Sequence, residues 1–483
     1  MTYEAVIGLE VHAELLTRSK MFCGCRVVAA DEAAPNSTVC PVCSGMPGTL
    51  PVINRQAIVY TIMTGLALNC AVAEFSVFAR KSYFYPDLPK GYQISQYELP
   101  LCRDGWLEID VESGARKRIG IRRVHLEEDT GKLVHVSGAS RVDLNRSGVP
   151  LIEIVSEPDM RSAREVAAYA RKLRAILRYL GVNSGDMEKG VIRFEPNISI
   201  RQAGSAQFGT RTELKNLNSF RALVRGTEFE LDRQQRLLER GETVRQETRG
   251  WDEARGATVA QRSKEYAEDY RYFPEPDLPP LFIDRAWVDE IRASLPELPD
   301  AKQARFVREY GLGSEDALRL TEERAVADYF EDAVRAKPGR ARVIANWILS
   351  DLFRLLNDSG KGIESVRVTP TGLAELIGLI DSGAITANTG KRVLADMFES
   401  GGSARSVVER NGLAQISDAG LLEEIVQKVI EANPAEVEKY RAGKETVLGW
   451  LVGQVMKETR GTGNPNVVRV ILMRRLGMLQ SDA

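Results

Sequence analysis

The sequence predicts an α+β protein: an N-terminal domain built on a largely antiparallel sheet with flanking helices, then an all-α domain and a small α-helical tail. Three observations carry that expectation. Up to about residue 285, short stretches alternate apolar and polar residues with the period of two that a half-buried strand requires. Further on, apolar residues recur at the three-to-four spacing of amphipathic helices. Between these regimes, residues 272–280 hold four prolines and read as a rigid extended stretch closing the first domain. The expected boundaries are 1–293 for the sheet domain, with an insert at about 20–48, then 294–405 for a helical linker domain and 406–483 for the tail. A chain of 483 residues has room for several domains of roughly 100–200 residues each.

The first strand is Val6-Ile7-Gly8-Leu9-Glu10-Val11-His12-Ala13-Glu14, with Leu9, Val11 and Ala13 on one face and Glu10, His12 and Glu14 on the other. Alternation returns at 119–127, 132–136, 149–156, 191–201 and 211–217. Two helices interrupt these strands. One, over 163–180, places Val166, Tyr169, Ala170, Leu173, Ile176, Leu177 and Leu180 on a stripe and stops at Gly181. The other is capped by Ser219 and runs to about Arg240, before Gly241. Past the prolines, 324–336 and 342–356 are helical by periodicity, the latter with Ile344, Trp347, Ile348 and Leu352 inward. Pro370, Gly372 and Gly401-Gly402 punctuate further helices. The tail has helical patterns at 447–460 and about 467–476, separated by Gly461-Thr462-Gly463-Asn464-Pro465.

With 43% hydrophobic and 27% charged residues the chain is an ordinary globular protein. No apolar run approaches the ~18 residues needed to cross a bilayer. The N-terminus lacks the basic and apolar regions of a signal peptide, so a cytoplasmic protein with no membrane partner is expected. A net charge of −2 excludes a global basic field for nucleic acid. Residues 441–483 are locally basic, with seven Lys/Arg against three Asp/Glu, which suits either RNA contact or a solvated helical face.

Four of the six cysteines form Cys23-Gly24-Cys25 and Cys40-Pro41-Val42-Cys43. Two such turns bring four thiolates together, the donor set and geometry that Zn²⁺ prefers, and leave no open position for a substrate. A structural zinc site is expected. Cys70 and Cys102 read as buried, inert thiols.

Acidic residues recur on strands otherwise built from apolar ones. Glu10 and His12 share a face, and acids cluster in His125-Leu126-Glu127-Glu128-Asp129. Glu153 stands among Leu, Ile and Val; Arg193, Glu195, Asn197, Ser199 and Arg201 share a face, as do Arg211, Glu213 and Lys215. Several such strands side by side suggest a cleft rather than a solvated rim. Carboxylates and an imidazole are hard ligands for Mg²⁺ or Mn²⁺ bridging a nucleotide, and Arg193, Arg201 and Lys215 suit phosphate oxygens. No glycine-rich phosphate loop is present, so ATP would bind through another fold. Aromatic and basic residues interleave from Arg80-Lys81-Ser82-Tyr83-Phe84-Tyr85 to Tyr92-Gln93, a composition suited to stacking a nucleotide or an unpaired RNA end.

These stretches resemble the B subunits of the bacterial aspartyl/glutamyl-tRNA amidotransferases. The likeness is carried by Ile7-Gly8-Leu9-Glu10-Val11-His12, Lys81-Ser82-Tyr83-Phe84-Tyr85-Pro86-Asp87, Tyr92-Gln93-Ile94-Ser95-Gln96, Val142-Asp143-Leu144-Asn145-Arg146 and Glu213-Leu214-Lys215-Asn216-Leu217-Asn218. It continues through 125–131, 150–158 and 270–277, in order, and includes a tail similar to the YqeY-type helical module. The resemblance implies a "cradle" domain in which ATP and Mg²⁺ activate the side-chain carboxylate of Glu or Asp on mischarged tRNA(Gln) or tRNA(Asn) as an acyl phosphate. Ammonia from a partner glutaminase subunit then displaces phosphate, a third, small subunit completes a heterotrimer, and a non-discriminating aminoacyl-tRNA synthetase supplies the substrate. It implies Glu10, His12, Glu127, Glu128, Glu213 and Lys215 as catalytic positions, with Glu10, His12, Glu128 and Glu213 on Mg²⁺ and the choice between Glu128 and Glu127 left open. Lys81, Tyr83, Arg193 and Arg201 are the expected ATP and phosphate contacts, Cys23, Cys25, Cys40 and Cys43 the zinc ligands, and 406–483 the tRNA-binding tail. In two places the chain departs from or goes beyond the pattern: Phe194-Glu195-Pro196-Asn197 stands where the family more often has Cys-Asp-x-Asn, and the four cysteines occur in only some members. On the residues alone, a kinase or ligase of a small carboxylate and a non-catalytic, zinc-containing tRNA adaptor stay open.

Overall fold

The computed structural model describes residues 2–29, 32–112, 114–263, 270–413, 419–459 and 463–477. Its chain divides into two compact units, Met1–Pro299 and Asp300–Ala483.

The first unit is organised by a nine-stranded sheet. In chain order the strands are β1 (Tyr3–Glu14), β2 (Ala71–Val72), β3 (Cys102–Asp110), β4 (Arg116–Glu128), β5 (Pro150–Ser156), β6 (Ile192–Gln202), β7 (Thr212–Lys215), β8 (Glu247–Asp252) and β9 (Ala257–Ser263). In space they run β9-β8-β7-β6-β1-β5-β4-β3-β2, antiparallel throughout except between β7 and β8. β1 is thus the central strand. The pleat sends Ile7, Leu9, Val11 and Ala13 into a core of nearly zero exposure, and Glu10, His12 and Glu14 to the opposite face.

The apolar face is covered by helices. α1 spans Arg55–Ala67, α2 Ala163–Leu180 and α3 Phe220–Glu239. The α2 stripe is buried as its spacing requires, Ser162 caps the amide of Glu165, and Gly181 ends the helix in the left-handed conformation. Ser219 caps α3 through the amide of Ala222. The sequence reading of two helices among the strands missed α1. Its buried positions, Ala57, Ile58, Thr61, Ile62, Thr64, Gly65 and Ala67, surround much of the helix, so no polar face gives it a readable period.

The proline segment also differs from expectation. Phe273–Pro274 pairs with Ala79–Ser82, which pairs with Tyr92–Ser95, so the segment adds an edge strand to a small sheet. It does not close the unit either: Leu281–Phe282 pairs with Phe75–Ser76, and the helix Arg285–Ala293 packs Val288 and Ile291 into the same core. Pro274 is tolerated because an edge position asks for no ladder donor on its open side.

The second unit is helical, with two separate cores. One gathers residues from Phe306 to Leu413, including the inward face Ile344, Trp347, Ile348 and Leu352, and Val407, Val408 and Leu413 belong to it. Within that helix a π-helical turn spans Trp347–Leu352. The other core joins Ala419–Ala432, Pro434–Arg441, Thr446–Glu458 and Pro465–Arg475 through Leu422, Val426, Leu451, Val455, Val468 and Leu472. Residues 460–462 and 478–483 of the basic tail lie outside the described residues.

Candidate catalytic face and cysteine cluster

The register of the sheet assembles the charged face from β1 outward. His12 stands opposite Glu153 of β5 and Arg193 of β6, and Glu153 in turn stands opposite His125 of β4. Glu10 stands opposite Glu195, and Asn197 opposite Glu213 of β7. Residues of β1 therefore meet partners about 140 to 185 positions away in sequence across ~4.8 Å strand spacings. Glu127, Glu153, Glu195 and Glu213 are all more than nine-tenths buried.

Two sets of ligand atoms result. His12, Glu127 and Glu153 each offer one within 4.8 Å of the others, and so do Glu10, Glu195 and Glu213. In the first set, His125 Nε2 lies 3.0 Å from Glu127 Oε1 and 3.3 Å from Glu153 Oε2, and His12 Nε2 lies 3.7 Å from Glu153 Oε2. Burial opposes charge on His125, but Glu153 and Glu127 outweigh it and raise its pKa. Glu153 is likewise held well below the usual carboxylate range by His125 and His12 in spite of its burial. The Nδ1 atoms of both histidines are buried without a hydrogen-bond partner. In the second set, Asn197 donates to Glu10 at 2.9 Å, Lys215 to Glu195 at 2.7 Å, and Thr248 to Glu213 at 2.9 Å. Burial would raise the Glu195 pKa, yet Lys215 and His12 bring it down to about 2. Five carboxylates so placed, with an imidazole beside them, are donor sets of the kind that could hold divalent ions.

The expected Mg²⁺ set is only partly brought together. Glu10 and Glu213 are in one group and His12 is in the other. Glu128 is in neither: successive strand residues point to opposite faces, so Glu127 joins the site while Glu128 turns to Lys90 and accepts from the Ile94 amide at 3.0 Å. The expected phosphate contacts are scattered as well. Lys81 lies over the rings of Tyr83 and Tyr270 with Glu127 and Glu153 as acidic neighbours; its pKa is raised because these offset its burial. Tyr83 donates to Gln93 at 3.2 Å, and Gln93 donates to Glu127 at 2.5 Å. Arg193 pairs with Asp129 at 3.1 Å, whereas Arg201, eight residues along the same strand, holds Glu4 at 2.6 Å. Eight residues of strand span about 26 Å, so these two arginines cannot hold one phosphate chain.

The sequence places Glu153, Glu195 and the His125 stretch on the charged strands but gives none of the three a catalytic or metal role. The period of two was the available signal for His125, which shares a face with Glu127. Glu153 was conspicuous only as an acid among aliphatic residues, and the partner of each acid is fixed by strand order, which alternation does not reveal. Glu14 was also unassigned. Its burial and the adjacent Asp129 raise its pKa to about 8.

The four clustered cysteines meet in space. All four sulfurs lie within 4.8 Å of one another, with Cys43 Sγ 4.0 Å from Cys25 Sγ and 3.9 Å from Cys40 Sγ. A tetrahedral ion with bonds of about 2.3 Å puts its sulfurs ~3.8 Å apart, so the set fits zinc. Lys20 Nζ lies 3.4 Å from Cys43 Sγ and offsets thiolate charge. Cys70 and Cys102 are buried elsewhere, and burial pushes the Cys70 thiol up to about 12.

A helix-backed sheet with two buried acidic sets on its open face is the architecture of a catalytic domain rather than of a purely structural one. Residues 5–289 match the family model described as the GatB/GatE catalytic domain, and residues 328–476 the one described as GatB domain. Relatives from Thermodesulfovibrio yellowstonii (54% identical over 477 residues) and Moorella thermoacetica (55% over 480) each share 99% of this chain and 100% of their own length. One from Carboxydothermus hydrogenoformans is 53% identical over 482 residues, 99% of both chains. All three are named as the B subunit of aspartyl/glutamyl-tRNA(Asn/Gln) amidotransferase. The chain belongs to this family of amidotransferase B subunits, whose enzymes are glutamine-hydrolysing ligases forming carbon–nitrogen bonds.

Proposed function

We propose that the charged face activates the side-chain carboxylate of Glu or Asp carried on mischarged tRNA(Gln) or tRNA(Asn). The observation that carries this reading is the pair of ligand sets on adjoining strands, His12/Glu127/Glu153 and Glu10/Glu195/Glu213. A carboxylate repels nucleophiles and lacks a good leaving group. Its oxygen attacks the terminal phosphorus of ATP, ADP leaves, and ammonia then displaces phosphate from the acyl carbon to give the amide. Mg²⁺ held by the two sets would offset charge on the transferring phosphoryl group. Lys215, bonded to Glu195 and 3.7 Å from Glu213, offsets part of the negative charge gathered there. Lys81 brings positive charge to Glu127 and Glu153 from the hairpin Ala79–Ser82/Tyr92–Ser95.

A partner glutaminase supplies the ammonia, and a third, small subunit completes the heterotrimer. The four cysteines hold a structural zinc, and the last helical core serves tRNA docking. An adaptor without catalysis would have no use for acids buried against one another, which are costly unless a ligand compensates them. The decisive experiment is co-expression with the glutaminase and the small subunit and amidation of both mischarged tRNAs, with ATP present or withheld. Amide formed without ATP, or none formed with it, sinks the reading.

A further inference from the structure

We propose that Arg123 is a catalytic residue whose guanidinium binds the phosphoryl group while it passes from ATP to the substrate carboxylate. The proposal rests on the function argued above and assigns that chemistry to a side chain that no motif singled out.

Arg123 lies on β4 opposite Val155 of β5, which lies opposite Glu10 of β1. Partners across antiparallel strands share a face, so Arg123 points to the side of the carboxylates, two strand spacings (about 10 Å) from Glu10. With Glu10, Tyr97, Asn197 and Ser199 it lines a cleft of about 800 Å³. Its Nε is buried and has no hydrogen-bond partner, and no ion pair joins it among the described residues. Of the other cations nearby, Arg211 lines the same cleft but is exposed, and the rest are committed. Arg122 holds Glu157 through two bonds of 3.0 and 2.7 Å, Lys215 holds Glu195, Arg193 holds Asp129 and Arg201 holds Glu4.

A buried guanidinium edge without an acceptor costs free energy that an anionic ligand recovers. The fork is also held in place: its carbon lies 5.7 Å from the ring of Tyr97, which stacks on Tyr272 with centroids 4.2 Å apart. A cleft that has Glu10 on one wall and Arg123 on another repels a lone carboxylate from the first and attracts phosphate oxygens to the second. A phosphoryl group between a divalent ion at Glu10 and the arginine fork satisfies both, since Arg meets phosphate in bidentate fashion. In the step itself the substrate oxygen forms the new O–P bond, the bond from the terminal phosphorus to the bridging oxygen breaks, and ADP keeps the electron pair. A backbone phosphate of the RNA is the other source of the same oxygens.

The test uses the full three-subunit assembly carrying Arg123→Ala or Arg123→Lys. Four quantities are measured: amidation at saturating ATP, affinity for ADP with Mg²⁺, affinity for ADP with Mg²⁺ and aluminium fluoride, and affinity for mischarged tRNA. Arg123→Ala is expected to lower kcat by about 10²–10³-fold and to abolish the gain in affinity that fluoride gives ADP. ADP and tRNA affinities should stay within about twofold of the parent, and Arg123→Lys should recover part of kcat. A fall in tRNA affinity with the fluoride complex intact assigns the arginine to RNA and overturns the proposal. Unchanged kcat, or equal losses with a lowered melting temperature in both variants, overturns it as well. A parent assembly that binds no nucleotide at all refutes instead the reading of function on which the proposal stands.

Discussion

A carboxyl group buried beside another carboxyl resists ionisation, and Glu14 next to Asp129 is such a group. Its pKa of about 8 lies above the ordinary 4.5, so the folded protein holds a proton there that the unfolded chain gives up. Native stability from this group is full below about pH 4.5 and declines as pH rises through 8. Glu14→Gln mimics the protonated form. It should leave the melting temperature at pH 5 unchanged and raise it at pH 8.5, an effect on the order of 1–2 kcal/mol after discounting for the shared proton. Equal melting curves at both pH values would reject this. At the ligand sets, loss of an outer-shell partner typically costs 10–100-fold. Glu10→Gln or His12→Ala, each of which removes a proposed ligand outright, should therefore cut ATP-dependent amidation by more than about 100-fold. tRNA affinity should stay at its starting value in both, and a drop in it would point to the adaptor role instead.

At the scale of elements, strands and helices with one wet face were legible because their period is written in the residues. β1, α2 and α3 follow their patterns closely, down to Gly181 and Ser219 at the helix ends. α1 was not legible, since a helix buried on several sides has no polar stripe. Its fit is correspondingly tight: a Cβ on Gly65 would come within 2.4 Å of Cys102 Sγ and 2.8 Å of Cys102 Cβ. Gly65→Ala should destabilise the protein by about 1–3 kcal/mol, read as a lower urea midpoint, and Cys102→Ala in the same chain should recover part of it. The cysteine cluster joins two turns of the insert. Metal analysis should find one zinc per chain, lost in Cys40→Ser together with several degrees of melting temperature. Metal-free protein of unaltered stability would remove the assignment.

At the scale of the whole molecule, the helical second unit has two cores, and Val407, Val408 and Leu413 belong to the earlier one. Removing residues 419–483 therefore leaves that core whole. The shortened chain should stay folded and assemble with its partners, while KM for mischarged tRNA rises about tenfold or more, as loss of several phosphate contacts implies. An unchanged KM would take the tail out of tRNA docking. By itself the sequence determined the division into sheet and helical parts, the inward and outward faces of the strands, the cysteine quartet and the acids that line the cleft, because each depends on local periodicity or spacing. It could name Glu10 and His12 but not their partners. Only the tertiary structure decided that His12 meets Glu127 and Glu153, that Glu10 meets Glu195 and Glu213, that Glu128 faces away and that Arg123 lacks an acid among the described residues. Those outcomes depend on strand order and register, which come from how distant segments pack.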